Sequence, residues 1–103
     1  MSLLKFELRL TTLARKDLVH ILSYTEKTWG IQQANQYEII LHKALDTIRT
    51  HPQIGRILVD LDDDTLCFNA GRHLIFYTTE ETTIFILRIL HDTMDYTTFF
   101  KNN

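Results

Sequence analysis

The chain has 103 residues and a mass of 12.2 kDa, with 45% hydrophobic and 23% charged residues. Domains cluster near ~100 to 150 residues and half of this chain would be too small to hold a core, so residues 1–103 are predicted to form one domain. Eleven Lys and Arg residues against thirteen Asp and Glu residues leave a formal charge of −2. Because each neutralised phosphate needs a cation, this balance argues against a protein that grips nucleic-acid backbones, and we expect no direct nucleic-acid binding.

Cysteine content and hydropathy bear on the compartment. Cys67 is the only cysteine, which excludes an intramolecular disulfide and a cysteine zinc cluster; it is predicted to be a small buried hydrophobe. No apolar run approaches the ~18 to 20 residues that cross a bilayer, so no membrane association is expected. The N-terminal segment carries charges at Lys5, Glu7 and Arg9 and lacks the apolar segment of a signal peptide. These observations predict a cytoplasmic protein.

The first predicted element is a strand that is buried on one face. Its alternating apolar positions are Leu4, Phe6, Leu8 and Leu10. Thr11 and Thr12 can cap the helix that follows, and Gly30 supplies a left-handed stop at its end. The apolar stripe of this helix comprises Ala14, Leu18, Ile21, Leu22, Thr25 and Trp29.

A second amphipathic helix follows directly after Gly30. Its stripe comprises Ala34, Tyr37, Ile40, Leu41, Ala44, Leu45 and Ile48. Pro52 forbids its continuation. Because the turn at Gly30 is so short, the two helices are predicted to be antiparallel neighbours.

Three strands are predicted in the second half of the chain, over residues 66–68, 72–78 and 83–91. The last strand is apolar on both faces apart from Arg88, which predicts that it lies at the centre of the sheet, with a hairpin turn at Glu80 and Glu81. The element order is therefore β-α-α-β-β-β. It predicts an α+β domain in which an antiparallel two-helix hairpin packs on one face of a small, mostly antiparallel sheet.

Two groups of residues resemble metal ligands only superficially. Asp60, Asp62 and Asp64 have the spacing that begins a calcium loop, but Thr65 stands where the loop needs Gly and Gly71 where it needs Glu. Five histidines without a metal-binding spacing occur at His20, His42, His51, His73 and His91. We therefore expect no metal site and no cofactor.

Arg72, Arg88 and His91 lie on adjacent predicted strands that a hairpin can bring side by side. One interpretation is an anion or phosphate site in which His91 is an acid or base near neutral pH. The other is that the arginines pair with carboxylates such as Glu7 or Asp95 to hold the sheet and the tail. The second is favoured, because the charge balance shows no wider basic field.

Five segments are distinctive in this order along the chain: LTTLARKDL at 10–18, WGIQQA at 29–34, HPQIGR at 51–56, GRHLIFY at 71–77 and RILHDTMDY at 88–96. Together and in register they resemble the ParE branch of the RelE/ParE toxin superfamily. The resemblance implies the toxin of a type II toxin–antitoxin pair, encoded beside an antitoxin that neutralises it. RelE-type members cut messenger RNA on the ribosome, whereas ParE-type members poison DNA gyrase. The two branches share a fold, so the fold does not choose between them.

The site residues favour the gyrase branch. Arg72 occupies the strand position where RelE-like nucleases carry a catalytic Arg. Downstream, where those nucleases place further basic residues, this chain has acids at Asp92 and Asp95, which would repel a phosphate. We therefore predict a gyrase-directed toxin that acts by binding and is not an enzyme. A ribonuclease would instead use Arg72, His91 and Arg88, and cations gathered in one pocket around His91 would contradict the binding hypothesis. A third alternative is an inactive member that only binds a partner.

Two sets of candidate contact residues follow from the resemblance. The target-binding set comprises Arg72, His91, Met94, Tyr96 and Phe99, with Phe100 in the same tail. The antitoxin-binding set comprises Tyr24, Ile31, Ile39 and Leu58, which lie off the core stripes and are predicted to be exposed. In ParE-like toxins an otherwise disordered antitoxin segment folds across the helical hairpin and the sheet. The alternative is that these are isolated surface hydrophobes, or that they support a two-fold homodimer.

Overall fold

A computed structural model describes residues 6–62 and 64–100 of the chain. The described elements are, in chain order, β1 (Glu7–Leu10), α1 (Thr12–Trp29), α2 (Ile31–Thr50), β2 (Arg56–Ile57), β3 (Leu66–Ala70), β4 (His73–Glu80), β5 (Thr83–His91) and α3 (Thr97–Phe100). Leu4 and Lys5 of the predicted first strand lie outside the described residues. None of the helices in the described ranges is long and apolar enough to cross a membrane.

The five strands form one sheet in the order β1-β5-β4-β3-β2. β1 runs parallel to β5, and the other neighbours are antiparallel. The predicted α+β class and the β4–β5 hairpin are confirmed, but the turn lies at Glu81 and Thr82, one residue later than predicted, because Glu80 is still paired with Thr83. The predicted central position of the last strand is wrong. β2 was not foreseen and adds a strand beyond β3, so β4 lies in the middle of the sheet.

The helical hairpin is defined by its caps. The hydroxyl group of Thr11 accepts the N–H of Ala14 at 3.1 Å and donates to the carbonyl oxygen of Leu87 at 2.9 Å, which joins the start of α1 to β5. Gly30 lies between the two helices with φ of 96°, a conformation that a residue with a Cβ rarely adopts. Its N–H caps α1 by donating to the carbonyl oxygen of Glu26 at 2.9 Å.

One hydrophobic cluster lies between the helical hairpin and the sheet. Its buried members include Ala14, Ile21, Leu41, Ile48, Ile75, Tyr77, Ile84 and Ile86. Two hydrophobic residues of the predicted helix stripes are exposed instead of buried: Trp29 is 69% exposed and Ile40 is 43% exposed. Trp29 is the last residue of α1, and Ile40 lies at the border of a stripe that Leu41, Ala44 and Ile48 already fill.

A second hydrophobic cluster covers the opposite face of the sheet. It contains Leu58, Cys67, Leu74, Phe76 and Leu90, against which Leu61, Tyr96 and Phe100 pack. The prediction that Leu58 is an exposed antitoxin contact is therefore wrong. Alternation along β3, β4 and β5 points apolar side chains away from the helices, and the loop after β2 and the C-terminal tail bury them.

The loop after β2 and the tail are also joined by polar contacts. The Tyr96 hydroxyl donates to the Asp60 carboxylate at 2.9 Å, and the Tyr96 ring lies 5.3 Å from that of Phe76. Asp62 closes its own turn, because its Oδ1 accepts the N–H groups of Asp64 and Thr65, each at 2.9 Å. These hydrogen bonds lower the pKa of Asp62. Within the described ranges, no group of three or more His, Cys, Asp or Glu side chains is arranged to hold a metal ion.

Candidate functional site

A groove of about 660 Å³ opens where the helical hairpin meets the open end of the β4–β5 hairpin, formed by the start of β4 and the end of β5. We call it the hairpin groove. Its apolar and aromatic lining comes from Ile21, Tyr24, Trp29, Tyr37, Ile89, Leu90, Met94 and Phe99. Its ionisable lining comes from Asp17, His20, Arg72, His73, Arg88 and His91. The groove is therefore an apolar surface with polar groups at defined positions, as ligand-binding sites generally are.

The groove gathers four of the five predicted target-binding residues, Arg72, His91, Met94 and Phe99. Tyr96 is the exception, because its ring packs on the second hydrophobic cluster.

The predicted antitoxin-binding residues do not form one patch. Tyr24 lines the hairpin groove, and Leu58 is buried against the sheet. Ile31 and Ile39 are exposed on α2 and do not line the groove. The antitoxin-binding and target-binding sets therefore meet at Tyr24.

Arg88 is held by a largely buried ion pair with Asp17 of α1. Nε and Nη2 of Arg88 each donate to a different carboxylate oxygen at 2.8 Å, and the two side chains are only 16% and 14% exposed. β1 ends opposite Ile86, so beyond Ile86 this edge of β5 has no neighbouring strand and lies against α1. Asp17 accepts the N–H of Ile89 there, at 2.9 Å, and so closes the edge of β5.

Arg72 lies in the turn before β4, not in the strand as predicted. Its Nε and Nη2 donate to the Asp92 carboxylate at 3.0 and 3.3 Å, and the Asp92 N–H donates to the Arg72 carbonyl oxygen at 2.8 Å. The guanidinium lowers the pKa of Asp92. The side chain of Arg72 is 69% exposed. This pair thus stands at the mouth of the groove, whereas the Arg88 pair lies inside it.

The predicted arginine pairing is therefore confirmed in kind but wrong in its partners. Glu7 pairs with Arg9 at 3.0 Å, and Asp95 accepts hydrogen bonds from Thr97. Glu7 lies on β1, which ends before β5 reaches Arg88, so Asp17 of α1 is the nearer carboxylate.

His73 and His91 form a cross-strand pair on β4 and β5, and their rings meet edge to face at 5.1 Å. Burial, and the neighbouring His91, lower the pKa of His73 from 6.5 to about 4, so His73 is neutral at neutral pH. Nδ1 of His91 accepts the N–H of Thr93 at 3.2 Å and lies 2.8 Å from the Thr93 hydroxyl.

The two arginines do converge on one concave site that also contains His91. A pocket of cations around His91 is the arrangement that would contradict a binding function. Arg72 and Arg88 line the same groove as His91. Each guanidinium, however, has its own carboxylate in bidentate geometry, Asp92 and Asp17. No lysine is among the described residues that line the groove. The formal charges of these two arginines and two carboxylates cancel, and the sequence pattern did not reveal which carboxylates take part.

Sequence reasoning missed Asp17 and Tyr37 as site residues. Asp17 carries a signal that was overlooked, because it is a carboxylate flanked by the stripe residues Ala14, Leu18 and Ile21, where a charge needs a partner. Tyr37 was assigned to the core stripe, and it does pack against the first hydrophobic cluster. A partly buried tyrosine nevertheless needs a partner for its hydroxyl group, and that partner is found on the sheet.

Comparison with known proteins agrees with this architecture. Residues 8–96 match the family model described as the ParE toxin of the type II toxin–antitoxin system parDE. Toxin ParE1 of Mycobacterium tuberculosis is 37% identical over 87 residues, which cover 84% of this chain and 89% of the relative. Toxin ParE1 of Caulobacter vibrioides is 32% identical over 87 residues, covering 84% of this chain and 90% of the relative.

Two solved structures have the same fold. A chain from the chromosomal ParDE TA system of P. aeruginosa superposes with a TM-score of 0.73 at 16% identity, covering 84% of this chain and 96% of that one. A chain from the toxin–antitoxin complex RelBE2 of Mycobacterium tuberculosis superposes with a TM-score of 0.61 at 22% identity, covering 84% and 98%. The family match and the curated relatives together establish that the chain belongs to the ParE toxin family of type II toxin–antitoxin systems.

Proposed function

We propose that this toxin inhibits DNA gyrase by binding through the hairpin groove, and that a cognate ParD-like antitoxin neutralises it. The observation that carries the proposal is the state of the two groove arginines. Both guanidinium groups are engaged by carboxylates, through the Arg72–Asp92 and Arg88–Asp17 pairs. The groove therefore offers little uncompensated positive charge to a phosphodiester.

Phosphodiester cleavage would require these pairs to break. A scissile phosphate needs cations that stabilise its developing charge, and here it would compete with two carboxylates for the same donors. The competition is hardest at Arg88, because moving Asp17 away would also free the N–H of Ile89 at the edge of β5. Asp92 faces Arg72 at 3.0 Å and would repel an incoming anion. These contacts favour binding over bond breaking.

The groove has the composition of a protein-binding surface. Tyr24, Trp29, Met94 and Phe99 are large exposed hydrophobic residues that line one concavity. Binding energy at protein interfaces concentrates on a few aromatic and arginine side chains at a central, desolvated position. A gyrase segment with apolar side chains would bury these four, while Nη1 of Arg72, which the Asp92 pair does not use, donates to its backbone or to a carboxylate.

Antitoxin binding is expected to overlap this surface. Tyr24 lines the groove, whereas Ile31 and Ile39 are exposed on α2 outside it. An antitoxin segment that covers Tyr24 would block the gyrase surface directly, which explains neutralisation without a conformational change in the toxin. Without antitoxin, the same exposed residues can support a two-fold homodimer, which light scattering of the purified toxin would detect.

The direct test is supercoiling by purified gyrase in the presence of the toxin. We expect inhibition at micromolar toxin and its loss in Met94→Asp, which places a charge in the apolar groove. The matched control is Val59→Asp, because Val59 is 97% exposed and does not line the groove. Supercoiling that persists at micromolar excess of the wild-type toxin would refute the proposal.

A second candidate function is ribosome-dependent cleavage of messenger RNA. It is favoured by one observation, that Arg72 and His91 line the same groove. It predicts transcript cleavage that Arg72→Ala abolishes. The third alternative, an inactive partner-binding subunit, predicts harmless expression without the antitoxin. Filamentation with DNA damage signalling on induction would indicate gyrase, and rapid translation arrest would indicate messenger cleavage.

A further inference from the structure

The hydroxyl group of Tyr37 is the point where α2 is joined to the mouth of the hairpin groove. It lies 2.5 Å from Nδ1 of His73 and accepts the N–H of Arg72 at 2.9 Å. The carbonyl oxygen of Ala70 lies at 3.3 Å from the same hydroxyl group. One side-chain oxygen thus contacts the end of β3, the turn and the start of β4.

The turn itself is shaped around the Tyr37 ring. Gly71 has φ of +59°, and a Cβ at this position would lie 2.8 Å from Cε1 and from the hydroxyl oxygen of Tyr37. A side chain at position 71 is therefore excluded by both conformation and space. The turn approaches the tyrosine so closely that its path depends on where the hydroxyl group lies.

Proton count and distance together favour one hydrogen-bond arrangement at Tyr37. The N–H of Arg72 can only donate, so the Tyr37 oxygen accepts there and keeps its own single proton for another acceptor. Nδ1 of His73, at 2.5 Å, is nearer than the carbonyl oxygen of Ala70, at 3.3 Å. The shorter distance favours Nδ1 as the acceptor of the Tyr37 proton, and this arrangement predicts a His73 ring with its proton on Nε2. The low pKa of His73, caused first by burial, agrees with a neutral ring.

The contact also determines the position of Arg72. Its N–H is bound to Tyr37, its carbonyl oxygen accepts the N–H of Asp92 at 2.8 Å, and its guanidinium binds the Asp92 carboxylate. The first of these three contacts is the one that joins the turn to the helical layer. Without it, the Arg72–Asp92 pair would still form but would no longer be held at a fixed position relative to α2.

We infer that the Tyr37 hydroxyl is a positioning group, which holds the 71–72 turn and the His73 ring so that the Arg72–Asp92 pair faces a bound partner. This inference rests on the proposed function for the identity of that partner. It adds that affinity for gyrase depends on a hydroxyl group that acts through Arg72 and His73.

Tyr77 provides a matched control. Its hydroxyl group accepts the N–H of Gly55 and donates to the carbonyl oxygen of Pro52, each at 2.8 Å. A Cβ at Gly55 would lie 2.7 Å from that hydroxyl oxygen. Tyr77 therefore shapes a glycine turn in the same way as Tyr37, but Tyr77 does not line the groove.

The experiment compares Tyr37→Phe with Tyr77→Phe and the wild type. Both variants lose one acceptor and one donor and should lower the melting temperature by similar amounts. Only Tyr37→Phe should raise the toxin concentration that half-inhibits gyrase supercoiling, by tenfold or more. Equal inhibition by the two variants, within twofold, would overturn the inference.

Nitrogen-15 NMR of the histidine rings gives a readout that does not depend on gyrase. In the wild type we expect His73 to be neutral at pH 6, with its proton on Nε2. In Tyr37→Phe its pKa should rise, because the hydrogen bond that stabilises the neutral ring is lost, whereas Tyr77→Phe should leave it unchanged.

The two readouts separate the inference from the function on which it rests. A wild-type His73 that carries its proton on Nδ1, or that is charged at pH 6, overturns the positioning role even if Tyr37→Phe does not fold. Wild-type toxin that fails to inhibit gyrase refutes the proposed function, and the His73 signals then still decide whether Tyr37 holds the ring.

Discussion

The Asp17–Arg88 pair allows the sharpest quantitative prediction, for Asp17→Ala. The substitution leaves the Arg88 guanidinium at 16% exposure beside the Phe99 ring, 5.1 Å from its centroid, with no carboxylate. It also removes the acceptor of the Ile89 N–H. Removing one partner of a buried pair costs about 3–5 kcal/mol. That is a large share of the roughly 5–15 kcal/mol that stabilises a domain of this size.

Urea unfolding followed by circular dichroism measures this loss, with an unchanged slope as evidence that the unfolded state is unaltered. At about 4–8 °C per kcal/mol, the melting temperature should fall by roughly 12 °C or more. The control is Asp46→Ala, which breaks the exposed pair between Asp46 and Arg49, whose side chains are 65% and 48% exposed, respectively. It should lower the free energy of unfolding by less than about 1 kcal/mol. Arg88→Met in the Asp17→Ala background should recover part of the stability. A loss below about 1 kcal/mol for Asp17→Ala would refute the reasoning.

Three further predictions concern the pH response, the Gly71 turn and the second hydrophobic cluster. Because the pKa of His73 is about 4 in the folded chain and 6.5 when unfolded, the unfolded state becomes protonated at a higher pH than the folded state as the pH is lowered. The free energy of unfolding should therefore fall between about pH 6.5 and pH 4, by at most about 3 kcal/mol, and His73→Asn should flatten this window in urea titrations. Gly71→Ala should destabilise more than Gly30→Ala, since only the first Cβ meets a side chain, at 2.8 Å; equal melting temperatures would contradict this. Leu58→Ala should lower the free energy of unfolding by about 2–5 kcal/mol, whereas Ile57→Ala, at an exposed position, should change it by no more than about 0.5 kcal/mol. The reverse order in urea unfolding would indicate that Leu58 is on the surface.

The parts of the fold that local pattern determines could be predicted from the sequence. The Thr11 cap, the Gly30 break and the β4–β5 hairpin each depend on residues within a few positions of one another. β2 and α3 could not be predicted, because a two-residue strand and a four-residue helix are too short to show a period. The loop after β2 and the C-terminal tail cover the second face of the sheet, which becomes apparent only once the other strands have been placed.

The site was predictable in its residue types but not in its pairing. Arg72, His91, Met94 and Phe99 come from the segments and tail of the C-terminal third of the chain, and they do line one groove. Asp17 lies 71 residues before Arg88, so no local pattern reveals that they form a pair. Tyr37 was hidden because its ring satisfies the helix stripe while its hydroxyl group serves the turn. Charge counted along the chain therefore pointed to the favoured function, although the reason, mutual neutralisation within one groove, is a property of the fold.

The central claim is that a groove whose arginines are already neutralised recognises a protein surface and does not cut RNA. The most direct measurement gives one toxin preparation both substrates, gyrase with relaxed plasmid and ribosomes programmed with a messenger. The account predicts that supercoiling stops while the transcript stays intact. If the wild-type toxin cleaves the transcript, the Arg72→Ala variant does not, and supercoiling is unaffected, the claim is contradicted.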